Sequence, residues 1–160
     1  MSFLTGLPGI EERLGEGLSG IAVNYRHSPI VEEYGSELAG PAAGDRAPDA
    51  LLVDPRGAAL RLYDLFTEHR HVLLLLGAAQ LSHATLLQCL QHDLKVHRIA
   101  PSAAAGATLT DRDGAVAAEY GSAPAAYLIR PDGYVGFRCV AGELPVQLPA
   151  YLARVFRARG

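Results

Sequence analysis

Apolar residues in this chain come in short blocks set off by glycine, proline and acidic turns, and the period inside each block points to the element it forms. The sharpest block is His71 to Gly77, HVLLLLG, a continuous apolar run closed by glycine. Such a run predicts a central strand covered on both faces, because neither side keeps a polar position for water. Before it, Leu51 to Asp54 predicts a short strand, Pro55-Arg56-Gly57 a turn and Ala58 to Leu62 the returning strand, with a short helix in LYDLFTEH. After it, Ser82 stands as the N-cap of a helix reaching about Asp93, with Leu86, Leu90 and Leu94 at i, i+4 and i+8 and Leu87 beside them. Lys95 to Ala100 predicts another strand, and Asp111 to Gly121 a turn and a short helix closed by Gly121.

The next block, PAAYLIRPDGYVGFRCV, predicts a hairpin. Arg130-Pro131-Asp132-Gly133 sets proline where a type I turn fixes φ and glycine where a left-handed residue is required, and Val135, Phe137 and Cys139 alternate onto one face. In LPAYLARVFRARG, Leu148, Tyr151, Leu152, Val155 and Phe156 form an apolar helical stripe with arginines opposite. From Gly44 onward the elements therefore run strand pair, helix, strand, helix, strand, helix, hairpin, helix. That order predicts an α/β domain with a thioredoxin-like arrangement: a mixed sheet with central parallel strands, a terminal antiparallel hairpin and helices on both faces. Pro124, just before the hairpin's first strand, is expected to follow a cis bond, a geometry that only context can impose on an X-Pro peptide.

Residues 1–43 read differently and are expected to be an extension or linker ahead of a domain at 44–160. Gly15, Gly17 and Gly20 weaken any helix there, and Ile21 to Gly35 reads as a strand ended by Pro29. Ile21, Val23, Tyr25, Ile30, Val31 and Tyr34 give this segment more apolar surface than a small domain buries, which predicts contact with a partner.

Composition narrows the function classes. With 160 residues, 49% of them hydrophobic and 19% charged, the chain suits one globular domain and not a disordered one. A net charge of −3 supplies no field for nucleic acid or an anionic membrane. No apolar run approaches the roughly 18 to 20 residues of a membrane helix and no signal sequence is evident, so a cytoplasmic location is expected.

The candidate chemistries thin out in the same way. Cys89 and Cys139 are too few and too scattered for a disulfide framework or a zinc site. A thiol enzyme of this fold needs its nucleophile where the helix after the central strand begins, and Gly77-Ala78-Ala79-Gln80-Leu81-Ser82 has no cysteine there. The pairs His69 with His71 and His92 with His97 complete no metal ligand set. Ser82 and His83, as helical neighbours, point about 100 degrees apart and form no nucleophile–base pair. A flavin site needs G-x-G-x-x-G after a strand, and Gly15-Glu16-Gly17 lacks both the third glycine and the strand. No catalytic, cofactor-binding or metal residue is therefore assigned.

Four blocks nevertheless carry a resemblance: Leu18-Ser19-Gly20 with Tyr25; Ser28-Pro29; Gly44-Asp45-Arg46-Ala47-Pro48-Asp49; and Leu128 to Arg138, with Phe137 where tryptophan is usual. In order and spacing the chain resembles the C-terminal domain of FAD-dependent aromatic hydroxylases, the phenol and polyketide hydroxylase group of flavoprotein monooxygenases. The resemblance implies a non-catalytic structural or association domain. FAD and NAD(P)H would belong only to a full-length parent, and the partner would be a flavin-binding domain, in the same or a separate chain, or a second copy in a homodimer. Gly44 to Asp49, Pro124 and Arg130 to Gly133 would be its structural motif. Within that motif Arg46 is expected to bridge Asp45 or Asp49, with an anion or partner contact as the other reading. Two other functions stay open: a thiol-dependent peroxiredoxin- or thioredoxin-like oxidoreductase, and a stand-alone binding module using the cleft near Pro124.

Overall fold

The computed structural model describes residues 31–34, 38–102 and 106–156. The apolar run becomes β4, Val72–Leu76, buried at every position. Its two faces serve two cores. Val72, Leu74 and Leu76 join one cluster with Leu52, Val116 and Tyr127, while Leu73 and Leu75 join another with Cys89, Phe137 and Leu148. A strand buried on both faces has no reason to alternate, which is why the sequence shows an unbroken leucine run.

Among the described residues the sheet around β4 has eight strands: β1 (Glu32–Tyr34), β2 (Leu51–Val53), β3 (Ala59–Arg61), β4, β5 (Lys95–Ala100), β6 (Leu109–Thr110), β7 (Ala125–Ile129) and β8 (Val135–Val140). Their order is β1-β8-β7-β4-β5-β6-β2-β3. Parallel pairs join β4 to β5, β5 to β6 and β1 to β8, and the others are antiparallel. Helix α1 (His83–Gln91) and α3 (Leu144–Val155) cover one face, and α2 (Ala115–Tyr120) and a 3-10 turn at Leu62–Phe66 cover the other. The architecture is thioredoxin-like.

Local chemistry accounts for the element ends. Ser82 caps α1, its Oγ accepting the Thr85 N–H at 3.1 Å. Asp54 accepts the N–H groups of Arg56 and Ala58 at 2.8 and 2.9 Å, closing the β2–β3 turn. In the hairpin, Gly133 takes φ +86° and donates to the Arg130 carbonyl at 2.8 Å, the left-handed position the turn residues predict.

Four expectations are corrected. The Ala123–Pro124 bond is trans, there being no cis peptide among the described residues. Trans is the default for X-Pro by about 0.5 to 1 kcal/mol, and here Pro124 packs on Gly77 and its carbonyl accepts the Ala141 N–H at 3.1 Å. In α1 the buried pair is Thr85 and Cys89, and Leu87 and Leu90 face outward at 46% and 57% exposure. The helix stops at Gln91, so Leu94 belongs to the approach to β5 and sets no helical face. Val135 leaves the face of Phe137 and Cys139 for the opposite core, because the ladder slips between Leu128 and Ile129 and leaves Gly136 as an extra residue in β8. Helix α3 begins at Leu144, with Pro145 in its first turn, where a missing N–H costs nothing, and Pro149 inside it.

Of the N-terminal segment, Glu32–Tyr34 adds to the sheet as an edge strand beside β8. The rest of the expected Ile21 to Gly35 strand, before Val31 and after Tyr34, lies outside the described residues, as do the Leu18 to Tyr25 and Ser28-Pro29 blocks.

Candidate functional site

In this fold, redox chemistry belongs at the carboxyl end of β4, where α1 begins. The six residues from Gly77 to Ser82 form that junction without a thiol. Both cysteines lie in the core below it at 0% exposure. Burial disfavours a thiolate, pushing Cys89 up to about 11 and Cys139 up to about 12. Neither sulfur is a nucleophile at neutral pH. A small cavity of about 120 Å³ lies beside this end, lined by Leu76, Gly77, Ile99, Asp111 and Val116 among others. The carboxylate of Asp111 is spent on the N–H groups of Val116 and Ala117, at 3.0 and 2.9 Å, and so opens α2 instead of serving a ligand.

The motif residues assemble at the opposite end of the sheet. Backbone hydrogen bonds join the Gly44–Asp49 segment to the Arg130–Gly133 hairpin turn: Gly44 N–H to Val135 O at 2.7 Å, Val135 N–H to Asp45 O at 2.8 Å, and Ala47 N–H to Gly133 O at 2.9 Å. Arg46 itself bridges Tyr134 in antiparallel fashion. Pro48 offers its carbonyl to the Tyr120 hydroxyl at 2.7 Å, tying the segment to α2. Two blocks far apart in sequence thus form one junction. Pro124, the remaining motif residue, sits apart from it beside Gly77.

At this junction Arg46 is exposed and lies 6.0 Å from the Tyr63 ring centre and 5.8 Å from that of Tyr134. Hydrogen bonds to Tyr63 and Tyr134 raise its pKa further above the usual guanidinium range. The expected bridge to Asp49 does not form, since Asp49 accepts Arg61 Nη1 and the Tyr63 N–H, both at 3.0 Å. Asp45 accepts the Ala42 N–H at 3.0 Å. Arg130 and Asp132 pair across the hairpin turn at 2.6 Å. Between these groups runs a groove of about 270 Å³ lined by Arg46, Tyr63, Phe66, Pro131 and Asp132 among others.

A second cluster anchors β1. Arg138, on β8, has a side chain only 4% exposed, and its Nε donates to Glu33 Oε2 at 2.7 Å. Its Nη1 donates to the carbonyls of Gly40 and Leu38 at 2.9 and 3.4 Å, while Glu33 Oε1 accepts the Ala43 N–H at 3.0 Å. Arg154 of α3 holds the neighbouring Glu32 at 2.5 Å. Arg138 closes the hairpin block in sequence, with no carboxylate adjacent in sequence to mark its partner. An arginine between two core positions of a strand is the available signal, because a buried guanidinium demands a carboxylate.

Among the described residues no group of three or more histidine, cysteine or acidic side chains is placed to hold a metal. Among the described residues, the two cavities described above, about 120 and 270 Å³, fall below the roughly 300 to 1,000 Å³ of drug-sized ligand sites, and the loop after β4 presents no glycine-rich phosphate cradle for FAD.

A thioredoxin-like sheet whose redox end lacks a thiol and whose opposite end concentrates the motif defines the class. Residues 40–158 match the family described as aromatic-ring hydroxylase, C-terminal, and the chain belongs to that family. It is 34% identical over 166 residues to pentachlorophenol 4-monooxygenase of Sphingobium chlorophenolicum, covering 94% of this chain but 30% of that protein. The flavin-dependent monooxygenase PieE, solved with FAD and substrate, is similar at 25% identity and a TM-score of 0.59, over 85% of this chain and 26% of that one. Aklavinone-11 hydroxylase, solved with FAD and aklavinone, is similar at 25% identity and a TM-score of 0.60, over 84% and 26%. The peroxidoxin BcpB of Mycobacterium tuberculosis shares the fold at 17% identity and a TM-score of 0.55, over 69% of this chain and 96% of that one. This chain is the C-terminal domain type of FAD-dependent aromatic hydroxylases and spans about 30% of the relative's length.

Proposed function

We propose that this chain is the non-catalytic association domain of a flavoprotein monooxygenase that uses FAD and NAD(P)H to hydroxylate an aromatic ring. The observation that carries the reading is the family match over 40–158 on a domain whose own thiols are buried. Flavin, nicotinamide and aromatic substrate belong to the larger part of such an enzyme, which this chain does not include. Its partner is then the flavin-binding portion, with the chain ahead of β1 linking the two and β1 onward, joined to β8, belonging to the domain proper; self-association into a dimer is the second arrangement. A cytoplasmic setting suits that chemistry, and no helix among the described residues is long and apolar enough to cross a membrane.

The rival reading, a thiol-dependent oxidoreductase, rests on the fold shared with the peroxidoxin and is opposed by the missing cysteine between Gly77 and Ser82. Two titrations of the purified chain separate them. Added FAD keeps its free fluorescence and peroxide plus dithiol is consumed no faster than in buffer if the proposal holds. Stoichiometric flavin binding or catalytic peroxide loss would overturn it.

A further inference from the structure

We propose that the groove formed by Arg46, Tyr63, Phe66 and the Pro131–Asp132 turn is the surface on which the flavin-binding portion docks, through a segment that sets a carboxylate beside an apolar side chain. This rests on the association-domain reading above.

Topology supplies the first argument. Strand β1 runs parallel to β8 with Glu32 opposite Phe137, so the chain preceding Val31 reaches the sheet where β8 begins. That is the end carrying the hairpin turn, and the turn's Pro131, Asp132 and Gly133 line the groove. In a family described as C-terminal, the remaining polypeptide precedes the domain, and this chain covers 30% of its relative. Polypeptide entering β1 therefore joins the sheet at the end where the groove lies.

Surface chemistry supplies the second. Arginine and tyrosine dominate the energetics of protein interfaces because they join broad apolar area to directed hydrogen bonds. Here Arg46 is exposed, Tyr63 is 38% exposed, and Phe66 packs 6.1 Å from the Tyr63 ring. The Arg46 guanidinium already lies over two rings, 6.0 Å from the centre of Tyr63 and 5.8 Å from that of Tyr134, so little rotamer freedom is lost when a partner takes it.

Charge supplies the third. Asp49 and Asp132 are matched by Arg61 and Arg130, whereas Arg46 forms no ion pair among the described residues and lies over the uncharged rings of Tyr63 and Tyr134. A partner carboxylate complements it.

Hydrogen–deuterium exchange of the unaltered chain, with and without the FAD-binding portion of aklavinone-11 hydroxylase, which was solved with FAD, tests this directly. Expected is slowed exchange at 46–48, 63–67 and 131–134, and a loss of affinity of about 30-fold or more in Arg46→Glu, the scale of a hot-spot residue, with an unchanged circular dichroism spectrum. Binding with protection confined to 77–82 and 122–124, or to 84–91, overturns the groove and leaves the association reading standing. So does equal binding by Arg46→Glu, or protection of the groove that grows with concentration of the chain alone, which would assign it to a second copy. Failure of the unaltered chain to bind overturns both.

Discussion

Gly40 shows how little slack single positions have. A Cβ built there would stand 2.5 Å from the Tyr120 carbonyl oxygen and 2.8 Å from its Cα, so backbone would have to move to admit it. Gly40→Ala is expected to lower stability by about 1 to 3 kcal/mol, the usual range for overpacking, measurable by urea unfolding. At the same scale, Cys89 and Cys139 are buried thiols with pKa values near 11 and 12. A disulfide reagent at pH 8 should label neither in the folded chain and both after unfolding; fast labelling of either would revive a redox role. His71 behaves in the opposite sense. Burial first, then the Arg130 charge, lower its pKa to about 4, partly offset by Asp132. The unfolded chain, with a histidine near 6.5, binds the proton more readily. The His71 contribution to stability is therefore complete above about pH 6.5 and lost as pH falls toward 4. His71→Leu should flatten the stability profile in that window.

Among elements, β1 is the most dependent on charge. Its three residues are held by Glu33 on Arg138 and Glu32 on Arg154, with Tyr34 5.9 Å from Phe137. Arg138→Met strands Glu33 against a wall that no longer answers its charge, and should cost about 3 kcal/mol and speed amide exchange at 32–34. The elements built on backbone logic were legible in the sequence: the leucine run of β4, the Ser82 cap, the β5 strand and the turn at Gly133 follow from periods and turn residues. What was not legible depended on tertiary partners. Which side of α1 is buried is decided by where α3 and the sheet lie, and a nine-residue helix with leucines on several sides leaves that open. The bulge at Gly136 is a two-strand property, and the trans bond at Pro124 depends on its neighbours. The groove lay hidden for the same reason: Arg46, Tyr63 and Tyr134 belong to three separate segments, and the acids beside Arg46 in sequence suggested a local bridge instead.

Taken whole, the molecule has two unlike ends. One keeps the place of a redox site with no thiol in it. The other gathers both motif blocks, the incoming chain and an arginine–tyrosine groove. On the proposed association reading, a domain arranged this way acts by holding a partner. Sedimentation velocity of the chain, alone and mixed with the FAD-binding portion of aklavinone-11 hydroxylase in the presence of FAD, reads that directly through flavin absorbance. The account predicts no flavin sedimenting with the chain alone and, in the mixture, flavin moving in a faster complex that contains it. Flavin carried by the chain alone, or a mixture whose components sediment independently, would contradict it.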